Sequence, residues 1–73
     1  MRNNDFGRWL KAGIGSITAC EGKTSPSVEE ELGEKIGVSR ATIQRYKAGH
    51  IPPESRTVQI LAEEIVQRGH LTP

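Results

Sequence analysis

The chain has 73 residues, of which 34% are hydrophobic, and ten Lys and Arg residues against nine Asp and Glu residues leave a net charge of +1 at pH 7. This length limits the chain to one small domain with no room for an enclosed catalytic pocket, and its charge excludes binding of polyanions through bulk charge alone. The single Cys20 cannot form an intramolecular disulfide, and neither it nor His50 or His70 has a partner at metal-ligand spacing, so we expect no enzyme activity, metal or cofactor.

The N-terminal residues, MRNNDFGRWLKAG, lack the apolar segment of about 7–15 residues that a signal peptide requires. No apolar run elsewhere approaches the roughly 20 residues of a membrane span. The sequence therefore predicts a cytoplasmic protein without a membrane partner.

The first predicted element is an amphipathic helix that begins near residue 4. Its apolar residues recur at spacings of four, four and three, at Phe6, Leu10, Ile14 and Ile17. Gly13 and Gly15 each weaken a helix by roughly 1 kcal/mol relative to alanine, so the pattern predicts a less stable C-terminal half. The turn-forming residues CEGKTSP follow, and we expect an inserted loop over about residues 20–26.

The second predicted helix has the clearest start. Ser27 is predicted to cap it, and Glu30 completes an S-x-x-E capping box, with acidic residues in the first turn where the helix dipole favours them. Gly37 is predicted to end this helix. Its apolar face consists of residues spaced four apart: Val28, Leu32 and Ile36.

Only the residues Gly37, Val38 and Ser39 separate the second helix from the third, which is predicted to start at Arg40 with Ser39 as its N-cap. Two helices joined by a glycine-containing turn of about three residues form a helix-turn-helix, in which the helices cross at roughly 90–120°. Such a crossing requires a small residue where the backbones approach, and Gly33 meets that requirement.

The third helix has two different faces when its residues are placed at about 100° intervals. Ile43 and Tyr46 point to the side that we expect to be buried. The opposite face carries cationic, polar and small side chains, at Arg40, Ala41, Gln44, Arg45 and Ala48, with Lys47 at its border. A guanidinium group can hydrogen-bond to the edge of guanine, a carboxamide can hydrogen-bond to the edge of adenine, and a methyl group can contact the methyl of thymine. This face therefore has the chemistry for reading base pairs.

Charge is also segregated along the chain. Residues 28–38 have a net charge of −3, whereas residues 39–56 have a net charge of +3.

After the helix-breaking residues GHIPPES, a fourth helix is predicted from its apolar stripe: Val58, Leu61, Ala62 and Ile65. Ile60 is predicted to point away from that stripe toward solvent. The sequence thus predicts an all-α fold, a small four-helix bundle in which residues 1–73 form a single domain.

Two functional interpretations remain open at this point. The polar face of the third helix is also typical of a solvated surface, or of a helical protein-interaction module that docks an acidic partner or another domain of the parent chain. The geometry of a DNA-binding motif accounts for three features together: the tight turn, Gly33 and the helix break after Gly49. We therefore favour double-stranded DNA as the partner. No small-molecule pocket is evident from the sequence.

The stretch ELGEKIGVSRATIQRYKAGHIPP, followed by TVQILAEEI, resembles the helix-turn-helix of the phage repressor and Cro (XRE-like) family. The similarity centres on a helix-turn-helix core over about residues 28–66. The residues that match the family pattern are Leu32, Ile36, Gly37, Val38, Ser39, Ile43, Gly49, Pro53, Leu61 and Ala62. The resemblance implies a lambda repressor-like fold and a sequence-specific transcriptional regulator.

By this resemblance, the residues expected to contact bases are Arg40, Ala41, Gln44 and Arg45, and those expected to contact the DNA backbone are Ser39 and Thr42. Lys47, near the helix end, is also expected to contact a phosphate. Where the family usually has a glutamine that reaches a phosphate, this chain has Glu29, whose carboxylate would repel one.

Many members of the family continue into a fifth helix that supports dimerisation, whereas this sequence ends at GHLTP. We therefore interpret the four predicted helices as the DNA-binding portion of a longer, five-helix-derived arrangement. In isolation we expect a monomer or a weak homodimer, with pairing supplied by DNA half-sites or by other domains of the parent chain.

Overall fold

The computed structural model describes residues 4–69, which form four helices: α1 (Asn4–Glu21), α2 (Ser25–Ile36), α3 (Arg40–Lys47) and α4 (Ser55–Gly69). These described residues contain no strand, and the all-α, four-helix prediction is confirmed. None of the four helices is both long enough and apolar enough to cross a membrane. His70 lies outside the described residues.

One hydrophobic core joins all four helices. Its buried residues are Leu10, Ile14, Ile17, Val28, Leu32, Ile43, Tyr46, Leu61 and Ile65. The predicted apolar faces of α1, α2 and α3 therefore point inward, with Ile36 packed partly buried against the core. On α4 the predicted stripe is only partly buried, because Val58 and Ala62 remain half-exposed. Ile60, which we expected in solvent, is half-buried.

α1 continues through the glycines that were expected to weaken it. A Cβ atom at Gly13 would lie 2.5 Å from Cδ1 of Ile65, and one at Gly69 would lie 2.9 Å from Cβ of Ser16. Both glycines thus allow α1 and α4 to approach more closely than larger residues would permit. The conformational cost of Gly13 within the helix is offset by this packing.

The start of α2 differs from the sequence prediction. Thr24, in extended backbone conformation, is the N-cap, and its side chain accepts a hydrogen bond from the Ser27 amide at 3.4 Å, with Pro26 in the first turn. The predicted Ser27 cap and its capping box with Glu30 are therefore wrong, and the first turn contains no acidic residue. Proline suits the first turn because its missing amide is not needed there.

The connection between α1 and α2 is also shorter than the predicted loop. It consists of residues 22–24, since α1 extends through Glu21 and α2 begins at Ser25. Gly22 has φ of +67°, and the amides of Gly22 and Lys23 both donate to the Thr18 carbonyl, at 2.9 and 3.2 Å. A positive φ is a conformation that glycine adopts without strain, so Gly22 ends α1.

An ion-pair network joins α1, α2 and α4 where α1 and α4 end. The Arg68 guanidinium contacts Glu21 at 2.7 Å, Glu64 at 3.6 Å and also Glu31, while the Lys23 ammonium contacts Glu31 at 2.9 Å and Glu21 at 3.3 Å. Hydrogen bonds from Arg68 lower the pKa of the Glu21 carboxyl from 4.5 to about 2. Those from Lys23 and then Arg68 lower the pKa of Glu31 as well.

Candidate nucleic-acid interface

The turn between α2 and α3 has the tight geometry that the sequence predicts. Gly37 has φ of +76°, and the amide of Val38 donates to the Gly33 carbonyl at 2.8 Å. A Cβ atom on Gly33 would lie 2.6 Å from the Val38 carbonyl oxygen, so only glycine fits there without displacing the turn. The predicted close approach at Gly33 is confirmed, and its contact is with the backbone of the turn.

The start of α3 is fixed by Ser39. Its backbone is extended, and its hydroxyl accepts a hydrogen bond from the Thr42 amide at 3.4 Å, as a helix N-cap does. The two hydroxyl groups of Ser39 and Thr42 are also 3.3 Å apart and share a hydrogen bond. Ser39 is exposed and Thr42 is half-buried, so the two residues expected to contact the DNA backbone lie together at this helix end.

Two side chains anchor α3 to the core. Ile43 is fully buried and Tyr46 is 9% exposed, which confirms the inward face predicted for this helix. The opposite face is exposed and contains all four residues expected to contact bases: Arg40, Ala41, Gln44 and Arg45. The short helix thus holds these residues together on one side of a rigid element, as base reading requires.

The role of Glu29 is not the one expected from the sequence. Its side chain is only 4% exposed, and its Oε2 accepts a hydrogen bond from the Lys47 ammonium at 3.1 Å. Its Oε1 lies 3.7 Å from Nε of Arg40 and has no hydrogen-bond partner among the described residues. Glu29 therefore lies beneath α3 and attracts two of that helix's cations.

Because of this ion pair, the environment of the Glu29 carboxylate differs from the one expected from the sequence. We expected the Glu29 carboxylate to face and repel a phosphate, but it is buried and its charge is balanced by Lys47. Lys47 is only partly exposed. To contact a phosphate, its ammonium would have to interact with that phosphate and with the Glu29 carboxylate at the same time. Among the cations of α3, Arg45 is the one without an ion pair to a described residue.

One feature of the sequence could have indicated that Glu29 is buried. Glu29 precedes Gly33 by four residues and Ile36 by seven, so it lies on the side of α2 that packs against the turn. Its partner Lys47 lies 18 residues away in the chain. No spacing rule connects residues so far apart, because their contact depends on how α2 and α3 cross.

Outside this surface lie Cys20 and a groove lined by charged residues. No group of three His, Cys, Asp or Glu side chains within residues 4–69 could hold a metal ion. Cys20 is exposed at the end of α1, with its Sγ 3.7 Å from the Gly69 carbonyl. A groove of about 490 Å³ is lined by charged residues that include the Arg68 network.

Comparison with known proteins identifies the family. The model of the helix-turn-helix family matches residues 29–65, just over half of the chain, from the first turns of α2 to the second half of α4. Searches of curated proteins and of solved structures found no match. The matched segment contains the Gly33 turn, the Ser39 cap and the exposed face of α3. On this match and this geometry, the chain belongs to the XRE-like helix-turn-helix family of DNA-binding domains.

Proposed function

We propose that this protein is a sequence-specific transcriptional regulator that inserts α3 into the major groove of double-stranded DNA. The observation that supports the proposal most is the division of α3 into a face anchored by Ile43 and Tyr46 and an opposite face that exposes two guanidinium groups, a carboxamide and a methyl group. A major groove about 12 Å wide admits one α-helix, and these groups match the base edges it displays.

Each side chain has a distinct role in this proposal. Arg40 and Arg45 donate to guanine edges, Gln44 binds an adenine edge, and Ala41 contacts a thymine methyl group. The residues that orient the domain through the DNA backbone are Ser39, Thr42 and Lys47, together with the first amides of α3. The function requires no enzymatic step and no cofactor, and DNA as the partner supports the cytoplasmic location expected from the sequence.

The proposed assembly is a monomer or a weak homodimer that pairs on DNA half-sites. The large apolar side chains exposed within the described residues are Ile51, at 44%, and Val66, at 37%. Two such side chains on different elements are too few for the apolar centre of a stable dimer interface, which buries about 1,200 Å² or more.

Selection of bound duplexes from a random oligonucleotide pool tests the proposed function. We expect an enriched motif, and an affinity that falls with salt at a log–log slope of about −0.9 per phosphate contacted. Titration with duplex DNA at low salt should shift the amide resonances of α3 in nuclear magnetic resonance spectra. If the pool yields no motif and these amides remain unshifted, the alternative of a protein-interaction module replaces this proposal.

A further inference from the structure

A second cationic surface lies beside the exposed face of α3. α1 packs against the end of α3 so closely that a Cβ atom on Gly7 would lie 2.6 Å from the Lys47 carbonyl oxygen and 3.1 Å from the Gly49 amide nitrogen. The two helices border a groove of about 260 Å³ lined by Gly7, Arg8, Lys11, Lys47 and Ala48. We call this the α1–α3 groove.

Of the three cations that line the α1–α3 groove, only Lys47 has an ion pair with a described residue, Glu29. Arg8 and Lys11 are exposed, lie three residues apart on one face of α1, and form no ion pair with any described residue. No acidic side chain lines the groove. Lys23 and Arg68, by contrast, are held by carboxylates at the other end of α1. The groove therefore retains free positive charge where an anion can reach it.

The groove is continuous with the face that reads bases. Ala48 lines the groove and is exposed, and it follows Gln44 by four residues and Ala41 by seven, so all three lie on the same side of α3. A helix that lies in the major groove has a phosphate backbone on each side of it. The α1–α3 groove thus begins where the base-reading face ends, on the side where one of these backbones would lie.

We propose that the α1–α3 groove binds the DNA backbone, with Arg8 and Lys11 each contacting a phosphodiester of the strand that flanks the bases read by α3. This inference depends on the proposed function and extends it to α1, a helix outside the segment matched by the family model. It assigns two cations of α1 a role in affinity that is independent of base sequence.

The test compares single and double substitutions of these cations with a matched control. We expect Arg8→Gln and Lys11→Gln each to reduce the salt slope of duplex binding by about one phosphate, and their effects to add in the double variant. Preference among sequences should not change. Lys35→Gln is the control, because Lys35 is exposed, has no ion pair with a described residue, and lies outside the α1–α3 groove. Its slope should equal that of the wild type.

Neutral DNA linkages distinguish a direct contact from a general effect of charge. Methylphosphonates placed one at a time beside the selected site should weaken wild-type binding at the contacted linkages and leave the double variant unaffected there. If both single variants keep the wild-type salt slope and base preference, this inference is overturned and the proposed function stands. Failure of the wild type to bind any duplex would overturn both. Because both side chains are exposed, unchanged thermal melts should confirm that the variants fold.

Discussion

Gln44 and Arg40 lie one turn apart on the exposed face of α3, where they can address neighbouring base pairs. A bidentate contact between a carboxamide and adenine contributes about 1–3 kcal/mol of discrimination against other bases. We therefore predict that Gln44→Ala relaxes the preference at one base position. Since glutamine is uncharged, affinity for a scrambled duplex and its salt slope should stay nearly unchanged.

This prediction is checked by measuring affinity for a selected and a scrambled duplex at several salt concentrations. Gln59→Ala, on the exposed surface of α4, is the matched control and should leave both affinities unchanged. An equal loss of affinity for both duplexes in Gln44→Ala would show that Gln44 does not read a base and that α3 lies in a different register in the groove.

The Glu29–Lys47 pair leads to a prediction about stability. Lys47→Ala leaves the buried Glu29 carboxylate without its hydrogen-bond donor, and an unsatisfied buried acceptor costs about 1–3 kcal/mol. We expect Lys47→Ala to lower the free energy of unfolding by an amount near the lower figure, because Lys47 is itself partly exposed and solvent weakens the pair. Addition of Glu29→Gln should recover part of this loss, since a neutral amide is less costly to bury than a carboxylate.

Urea unfolding of the two single variants and the double variant measures this coupling. If Lys47→Ala lowers the free energy of unfolding equally in the wild type and in Glu29→Gln, the ion pair does not contribute to folding. DNA binding by Lys47→Ala then tests its second role: if Lys47 also contacts a phosphate, binding to all sequences weakens and the salt slope falls by about one phosphate.

At the scale of the elements, the turn between α2 and α3 depends on Gly33. A methyl group there would lie 2.6 Å from the Val38 carbonyl oxygen, a backbone atom that cannot move without displacing the turn. We predict that Gly33→Ala destabilises the fold by about 1–3 kcal/mol, as overpacking does, although alanine favours helix formation over glycine.

Gly15→Ala is the matched control for this prediction. Gly15 is also helical, but a Cβ atom there meets no atom within 4 Å beyond its own stretch of helix, so this variant should gain up to about 1 kcal/mol from helix propensity. Thermal and urea unfolding of the two variants should give changes of opposite sign. A stabilised Gly33→Ala variant would show that the turn accommodates the methyl group.

At the scale of the whole molecule, the Arg68 network links folding to pH. The pKa of Glu21 is lowered to about 2, and that of Glu31 is also lowered, so both carboxylates favour the folded state when they are ionised. Their stabilising effect is complete above their unfolded-state pKa of about 4.5 and is lost as pH falls through the folded-state values, toward about 2 for Glu21.

We therefore predict that Arg68→Gln makes stability less dependent on pH below about 4.5, because it removes the main cause of the lowered pKa of Glu21. Thermal midpoints measured between pH 7 and pH 2.5 check this, with Arg56→Gln as a control for loss of one exposed arginine. Parallel pH profiles for the wild type and Arg68→Gln would contradict the prediction.

The amino-acid sequence by itself determined the four helices, the buried faces of α1, α2 and α3, and the tight turn. These features follow from contacts between residues three and four positions apart and from the steric needs of Gly33 and Gly37, all of which are local. The exposed face of α3 follows for the same reason, since the inward positions of Ile43 and Tyr46 place Arg40, Gln44 and Arg45 opposite. Local rules failed at the start of α2, where Thr24 caps the helix in place of Ser27.

Only the tertiary structure decided which distant residues meet. Glu29 pairs with Lys47 across 18 residues of chain, Arg68 reaches Glu21 across 47, and Gly7 brings Arg8 and Lys11 beside the end of α3. These contacts depend on the crossing of packed helices, which is set by the shape of the whole core. For that reason the sequence could identify the exposed face of α3 that we propose reads bases, but it could not show the buried carboxylate beneath that face or the cationic groove beside it.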